Sequence, residues 1–448
     1  MIFRNAAITV TLLLSLQITP AVPTRGEEYS SSLRRRHRRA SSNNNILYNF
    51  RGGVIDDKYD DASIDVATMK VEGGEEDKIC IIGSGNWGCA IATVLGRNAA
   101  RLPFCNDRVN MWVFDEQVAL PSDKTTAKLS DVINALHENV KYLPGVKLPS
   151  NVIAIPDLKE ACKNATLLVF VTPHQYLPDL LPTLRANVHQ TRCRGVSLIK
   201  GLEFDAETKL PVLISKSIER AMGGSFKCGA LMGANIADEV ARRQMCESTL
   251  ACDFGDDECN ERTRLLFDEP PNFRVSRIRD VAGAETCGAL KNVVALGAGF
   301  VDGLGFGGNT KAALLRVGLL EMARFCDIFY QGVERGTFLE SCGIADLITT
   351  CYGGRNKRCA EEFAKLQLGE HKANCDELWN DIELKMLNGQ KLQGPPAAKE
   401  VYALLMNRGL LDSFPLFRSI YEISFGGRPV STITEGIHVI GTTFVSNL

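Results

Sequence analysis

Two lysines stand where a lysine is unusual. Lys291 lies in the small, apolar stretch ETCGALKNVVALGAGF. An ammonium group in such surroundings is unfavourable unless it is paired or put to use. Desolvation would lower its pKa towards the range where a side chain exchanges protons at neutral pH. Asn292 follows it and could fix a substrate or the ammonium group. The alternative is a lysine whose head reaches solvent from a helix edge. Lys200 ends the apolar run GVSLIK. At the carboxyl end of a strand in an open α/β sheet, a lysine faces the ligand crevice. A solvated strand-end lysine is the other reading.

Further along, ESCGIADLITTCYGGRNKR (residues 340–358) gathers Asp346, Thr349, Thr350, Gly353, Gly354, Arg355 and Asn356. Two glycines before an arginine make a backbone that can approach a ligand, and arginine can hold a phosphate through two parallel hydrogen bonds. A helix-opening surface patch would explain the basic run equally well. NGQKLQGPPA (388–397) is a loop bounded by Gly and Pro that carries Lys391 and Gln393. It suits a flap over a ligand or a plain connection between helices. His137 and His174 are isolated; His174, in TPHQY, could line a cleft or be structural. No HExxH and no Ser/His/Asp pattern supports hydrolase chemistry.

The phosphate-binding candidate nearest the start is KICIIGSGNWG (78–88). Gly83 permits a tight turn after a strand, Gly85 lets the backbone approach a pyrophosphate, and Gly88 lets the following helix pack close. The helix N-terminus then faces the anion. The acid that reads a ribose hydroxyl would be Asp115 or Glu116. Both come later than the usual spacing, which implies a longer first crossover looped at 98–108. An acid there disfavours a 2′-phosphate, so NAD is preferred over NADP. With no Gly-Lys dipeptide, a P-loop is excluded.

These residues need a scaffold, and the sequence describes one. Strand-like runs occur at KICIIG (78–83), VNMWVF (109–114), VIAIP (152–156), TLLVFVTP (166–173), GVSLIKG (195–201) and GALMG (229–233). Several are continuous apolar runs, as in strands buried on both faces. Helical stretches such as 87–96 and 127–136 lie between them. This alternation predicts a doubly wound parallel sheet. FRVSRI (273–278) is a candidate last strand. Helical segments follow at 282–300, 310–327, 359–366, 375–387 and 397–407. The segment from Thr310 is apolar almost all round and is expected to be the buried spine of a helical domain. The expected organisation is residues 1–77 as a leader and linker, 78–265 as the nucleotide-binding domain, and 266–448 as the helical domain.

The totals agree with a globular chain: 448 residues, 45% hydrophobic, 23% charged, net charge −2. Nothing in that balance suggests nucleic acid or an acidic membrane surface as partner. The 15 cysteines form no CxxC pair and no Cys/His cluster, so neither a disulfide framework nor a metal site is expected. Free thiols imply a reducing final compartment. The N-terminus carries AAITVTLLLSLQITPA (6–21), too short for a comfortable membrane span but suited to a signal-peptide core. RRRHRR and SSNNN follow, Arg- and Ser-rich as in transit peptides. A signal followed by a transit-like segment suits a plastid reached through the secretory route. The cytosol and the secretory pathway are the alternatives.

GSGNWG, HENVKYLPG, VTPHQY, SLIKG, LMGANIA, GALKNVVALGAGF, FLESCGIADLITTCYGGRN and NGQKLQGP occur in that order. Together they resemble the eukaryotic-type NAD-dependent glycerol-3-phosphate dehydrogenases, over about residues 78 to 429. The resemblance implies a Rossmann-type doubly wound sheet followed by an all-helical C-terminal domain, usually in homodimers. It implies interconversion of dihydroxyacetone phosphate plus NADH with sn-glycerol 3-phosphate plus NAD. Motif by motif, Lys291 would be the acid/base, with Lys200 contacting and supporting the substrate. Asn292 and Asp346 would complete the polar network at the reacting oxygen. Arg355 and Asn356 would hold the phosphate, with Thr350 nearby. Gly83, Ser84, Gly85, Asn86, Trp87, Gly88, Phe114, Tyr176, Ala237, Arg355, Lys391 and Gln393 would contact the cofactor. Residue 176 is Tyr where the family pattern has Phe, which keeps the aromatic face. The tail after Pro429 lies outside the resemblance.

Overall fold

The computed structural model describes residues 76–120, 125–205, 207–369, 374–387 and 389–438. The expected targeting segment and the end of the tail lie outside these residues. Eight strands form one sheet: β1 Asp77–Ile82, β2 Cys105–Trp112, β3 Val152–Ile155, β4 Leu167–Phe170, β5 Arg194–Ser197, β6 Cys228–Met232, β7 Cys246–Ala251 and β8 Phe273–Ile278. Their order across the sheet is β3-β2-β1-β4-β5-β6-β7-β8. Every neighbouring pair is parallel except β6 with β7. The order reverses between β1 and β4, and the crevice outside the carboxyl ends of strands at such a point is where ligands bind in this architecture.

Helices cover both faces: α1 Asn86–Arg101, α2 Leu129–Leu136, α3 Leu158–Ala161, α4 Leu177–Asn187, α5 Ile214–Met222, α6 Ala237–Ala241 and α7 Asp257–Phe267. β1 is buried nearly throughout, as its unbroken apolar run requires.

The sheet differs from the expectation in three places. The first crossover has no long loop at 98–108, because α1 runs to Arg101 and β2 starts at Cys105. Asn98, which reads as a loop residue, is fully buried and donates its amide to the carbonyls of Leu266 and Asp268. The strand β7 was not expected, because CESTLA is polar. Its buried hydroxyls are satisfied, Ser248 Oγ by Met232 O at 3.1 Å and Thr249 Oγ1 by the Cys342 N–H at 3.3 Å. Finally, β8 pairs in register with β7 along its whole length. The sheet therefore extends past residue 265, which falls inside α7. We place the division between sheet and helical parts at residues 279–280.

The helical part comprises α8 Val281–Gly303, α9 Gly308–Phe329, α10 Asp346–Gly353, α11 Arg355–Leu368, α12 Cys375–Leu387, α13 Gly394–Asn407 and α14 Pro415–Phe425. Its spine is α8, buried continuously from Gly283 to Val301. The segment from Thr310, expected to be that spine, is α9, which buries Leu314, Val317, Met322 and Phe325 but exposes Ala312, Ala313 and Arg316. Alanine counts as apolar in a pattern, yet it has little surface to bury. Gly318 lets α9 close on α8; a Cβ there would lie 2.5 Å from the Val294 side chain. After Pro429 the chain forms a short 3₁₀ helix, Val430–Gly436, with Val430 and Ile433 buried. Among the described residues no helix is long and apolar enough to cross a membrane.

Candidate active site

The glycine loop follows β1 and opens α1. Gly83 sits at φ +120°, a conformation that side chains disfavour. A Cβ on Gly88 would collide with the Gly83 carbonyl, whereas one on Gly85 would meet nothing within 4 Å. The loop is therefore closed on its protein side and open at Gly85. The α1 N-terminus has no side-chain cap and no acid in its first turn. Its free N–H groups suit an anion. Ser84 is buried, and its carbonyl accepts Asn139 Nδ2 at 2.9 Å. Asn86 donates to Tyr142 O at 2.8 Å, and Trp87 is half-buried against the sheet core. Past β2 and β4, Phe114 (74% exposed) and Tyr176 (52% exposed) offer bare aromatic faces. Ala237 opens α6.

The two acids expected to read the ribose follow β2 but are engaged within the protein. Asp115 Oδ1 accepts the Ser130 N–H at 3.1 Å at the start of α2. Glu116 accepts Tyr142 Oη at 2.8 Å and pairs with Lys141. Burial raises the Glu116 pKa, but the Lys141 and Tyr142 bonds outweigh it and hold the carboxyl below the usual range.

The two lysines meet where the chain leaves β5 against the helical part. Lys200 Nζ donates to Asp346 Oδ2 at 2.9 Å and to Gly233 O at 3.1 Å. Lys291 Nζ donates to Asp346 Oδ1 and to Thr350 Oγ1, the latter at 2.8 Å. Asp346 and Thr350 stand one turn apart on α10, so both side chains face α8. A π-helical turn, Ser341–Ala345, leads into Asp346, a local irregularity frequent at functional sites. Gly288 lets α8 close on β6; a Cβ there would lie 2.9 Å from Met232 Sδ. Lys291 and Asp346 are both buried. Burial lowers the Lys291 pKa, Asp346 opposes this, and the Lys200 charge lowers it further, leaving it at about 7. Asn356 Nδ2 donates to Asn292 Oδ1 at 3.0 Å, joining α11 to α8 beside Lys291.

The expected phosphate loop is a joint between two helices. α10 ends at Gly353, Gly354 is extended, and Arg355 starts α11. Arg355 and Asn356 therefore stand in the first turn of a 14-residue helix, where free N–H groups and the helix dipole favour an anion. Arg355 Nη1 donates to Gln390 Oε1 at 3.1 Å. Lys391 pairs with Glu383 on α12. Gln393 stands exposed immediately before α13.

The structure thus brings Lys200, Lys291, Asp346 and Thr350 into direct contact and links Asn292 to Asn356. His137 ends α2 in a left-handed conformation, φ 48°, as a structural residue. His174 lies beside Gly201, where a Cβ would be 3.3 Å from Nδ1. Sequence reasoning assigned no role to Asn139, Gly233 or Gln390, which fix the glycine loop, Lys200 and Arg355. Asn139 follows a turn-prone pattern in HENVKYLPG; the carbonyl of Gly233 left no signal. All 15 cysteines are free. Among the described residues no His/Cys/Asp/Glu group could hold a metal ion.

Comparison with known proteins covers both parts of the chain. Residues 78–258 match the NAD-dependent glycerol-3-phosphate dehydrogenase N-terminus model, and residues 280–435 match its C-terminus model. The cytoplasmic glycerol-3-phosphate dehydrogenase [NAD(+)] of Homo sapiens is 47% identical over 364 residues, 81% of this chain and 97% of that protein. The cytoplasmic enzyme of Drosophila virilis is 50% identical over 349 residues, 78% of this chain and 93% of that protein. The solved glycerol-3-phosphate dehydrogenase of Saccharomyces cerevisiae superposes with a TM-score of 0.71 at 41% identity, covering 81% of this chain and all (100%) of that one.

Proposed function

The chain belongs to the NAD-dependent glycerol-3-phosphate dehydrogenase family, and from that premise we propose how its residues divide the work. The reaction is the interconversion of dihydroxyacetone phosphate and sn-glycerol 3-phosphate with NAD as redox partner. The glycine loop fits the dinucleotide: Gly85 is open, the α1 N-terminus is uncapped, and Phe114 and Tyr176 are bare. Gly83 to Gly88 would hold the pyrophosphate, with Phe114, Tyr176, Ala237, Lys391 and Gln393 along the rest. When bound, the cofactor supplies or accepts the hydride.

Lys291 is the acid/base. In ketone reduction its ammonium gives a proton to the carbonyl oxygen, and the oxygen's C=O π pair becomes the new O–H bond. In alcohol oxidation the neutral amine takes that proton back. A pKa of about 7 makes both forms available near neutral pH. Asp346 orients the amine and tempers the charge that burial would otherwise expel. Lys200 keeps a second positive charge beside the oxygen, where alkoxide character develops. Asn292 completes the polar network. Arg355 and Asn356 hold the phosphate, and binding energy from that remote group orients the reacting carbon.

The observation that carries this reading is one buried carboxylate shared by two lysines at the carboxyl end of the sheet. NADH oxidation by the purified chain with dihydroxyacetone phosphate tests it; no turnover would remove it. The resemblance further supports a homodimer, which sedimentation of the purified chain tests. The relatives are named cytoplasmic. The apolar run and basic run ahead of Lys78 support import instead, into a plastid through the secretory route. A fusion of residues 1–75 to a fluorescent protein that gave only diffuse cytosolic signal would exclude import.

A further inference from the structure

The loop carrying Lys391 is fastened from beneath by one buried side chain. Glu383 lies on α12 with its side chain 8% exposed. Its Oε1 accepts the Leu392 N–H at 3.0 Å, and its Oε2 accepts Lys391 Nζ at 2.7 Å. Its own carbonyl accepts the Gly389 N–H at 3.1 Å. Asn380, on the same face of α12, accepts a second bond from Lys391 Nζ at 2.9 Å. Leu392 is buried, and the Gly394 N–H donates to Asn356 Oδ1 at 2.9 Å. Between these anchors Gln390 meets Arg355.

We propose that Glu383 is a positioning residue for the reaction: it seats the 389–393 loop so that Lys391 and Gln390 stand beside the anionic end of the site. This rests on the reading of Arg355 and Lys391 as residues that hold ligand. Glu383 acts through Lys391 and the Leu392 N–H. Its two oxygens do separate jobs. Oε1 fixes the backbone of the loop, and Oε2 holds a cation that would otherwise sample many rotamers on its four-carbon stem. Pinning that side chain beforehand removes an ordering penalty that ligand binding would otherwise carry. The Lys391 charge in turn compensates a carboxylate held out of water. Glu383→Gln keeps an oxygen for Leu392 and discards the charge that holds Lys391. Glu383→Ala discards both.

The test is steady-state kinetics and NADH titration of full-length Glu383→Gln, Glu383→Ala, Lys391→Ala and the Glu383→Gln/Lys391→Ala double variant, with thermal melts. Glu383→Ala should raise KM for dihydroxyacetone phosphate and Kd for NADH by roughly tenfold. Its kcat at saturation should stay within about twofold of wild type. Glu383→Gln should fall between, and should add little to Lys391→Ala, because the two share one interaction. A purely structural Glu383 would lower Tm and kcat at unchanged KM, and that result overturns the proposal. Unchanged KM in the Glu383 variants beside a raised KM in Lys391→Ala overturns the role of Glu383 alone. Unchanged KM in Lys391→Ala overturns the ligand reading beneath it as well. Should Glu383→Ala fail to fold, the double variant decides: fully additive effects of Glu383→Gln and Lys391→Ala contradict the proposal.

Discussion

Lys200 and Lys291 are held on opposite oxygens of one carboxylate, that of Asp346. Lys200 comes from the segment that follows β5 and is 25% exposed at its side chain; Lys291 comes from α8 and is 6% exposed. The carboxylate between them thus ties the sheet part and the helical part together at the candidate active site. It also leaves the group with one positive charge in excess when both lysines are protonated, which suits an oxygen gaining negative charge.

The two directions of reaction should respond oppositely to pH. Reduction needs protonated Lys291, so kcat/KM for dihydroxyacetone phosphate should fall as pH rises through about 7. Oxidation needs the neutral amine, so kcat/KM for glycerol 3-phosphate should rise over the same interval. Rate profiles in both directions check this. Profiles that move together would remove Lys291 from the proton transfer.

Arg355→Ala should lower kcat/KM by on the order of a hundredfold, as expected for losing a charge-assisted contact of ~3 kcal/mol. Glycolaldehyde lacks the phosphate. Added phosphite should accelerate its reduction by the unaltered enzyme and fail to do so in Arg355→Ala. Equal acceleration in both would place the anion elsewhere.

Gly88→Ala should weaken NADH binding. Its methyl group meets the Gly83 carbonyl, so α1 must move away from the loop. Overpacking of this kind costs ~1–3 kcal/mol. NADH fluorescence titration should show a Kd raised about tenfold or more, and an unchanged Kd would mean that the loop holds no pyrophosphate.

Far from the site, Asp77 pairs with Arg194 at 3.1 Å and Arg262 at 3.4 Å. Burial raises its pKa, but the Arg194 and Arg262 charges win and hold it at about 2. A depressed folded pKa stabilises above the unfolded value and loses that contribution as pH falls towards about 2. Asp77→Asn should therefore cost about 3–5 kcal/mol at neutral pH, because two arginines lose their partner. The gap to wild type should narrow on acidification. Urea melts at several pH values check the sign.

What the sequence reveals depends on how each residue is used. KICIIG reads as a strand because it is buried on both faces, while CESTLA hides because its hydroxyls are buried and satisfied. Gly353 and Gly354 suggest a loop, yet they form a joint between helices that points Arg355 out of a helix start. The lysines and Asp346 were legible as types, from motif and setting. Their sharing of one carboxylate was not, since Asp346 lies 146 residues from Lys200 and 55 from Lys291 in sequence. Asn139 and Glu383 hold backbone groups, the Ser84 carbonyl and the Leu392 N–H, and a backbone partner leaves no mark on residue type.

The central claim is that Lys291 moves the proton. Single-turnover reduction of dihydroxyacetone phosphate by Lys291→Ala, beside NADH titration of the same variant, tests it most directly. Turnover should fall by about 10²–10⁴-fold, as for removal of a general acid, while Kd for NADH stays within about twofold. Near-normal turnover, or loss of turnover only in step with lost NADH binding, would contradict it.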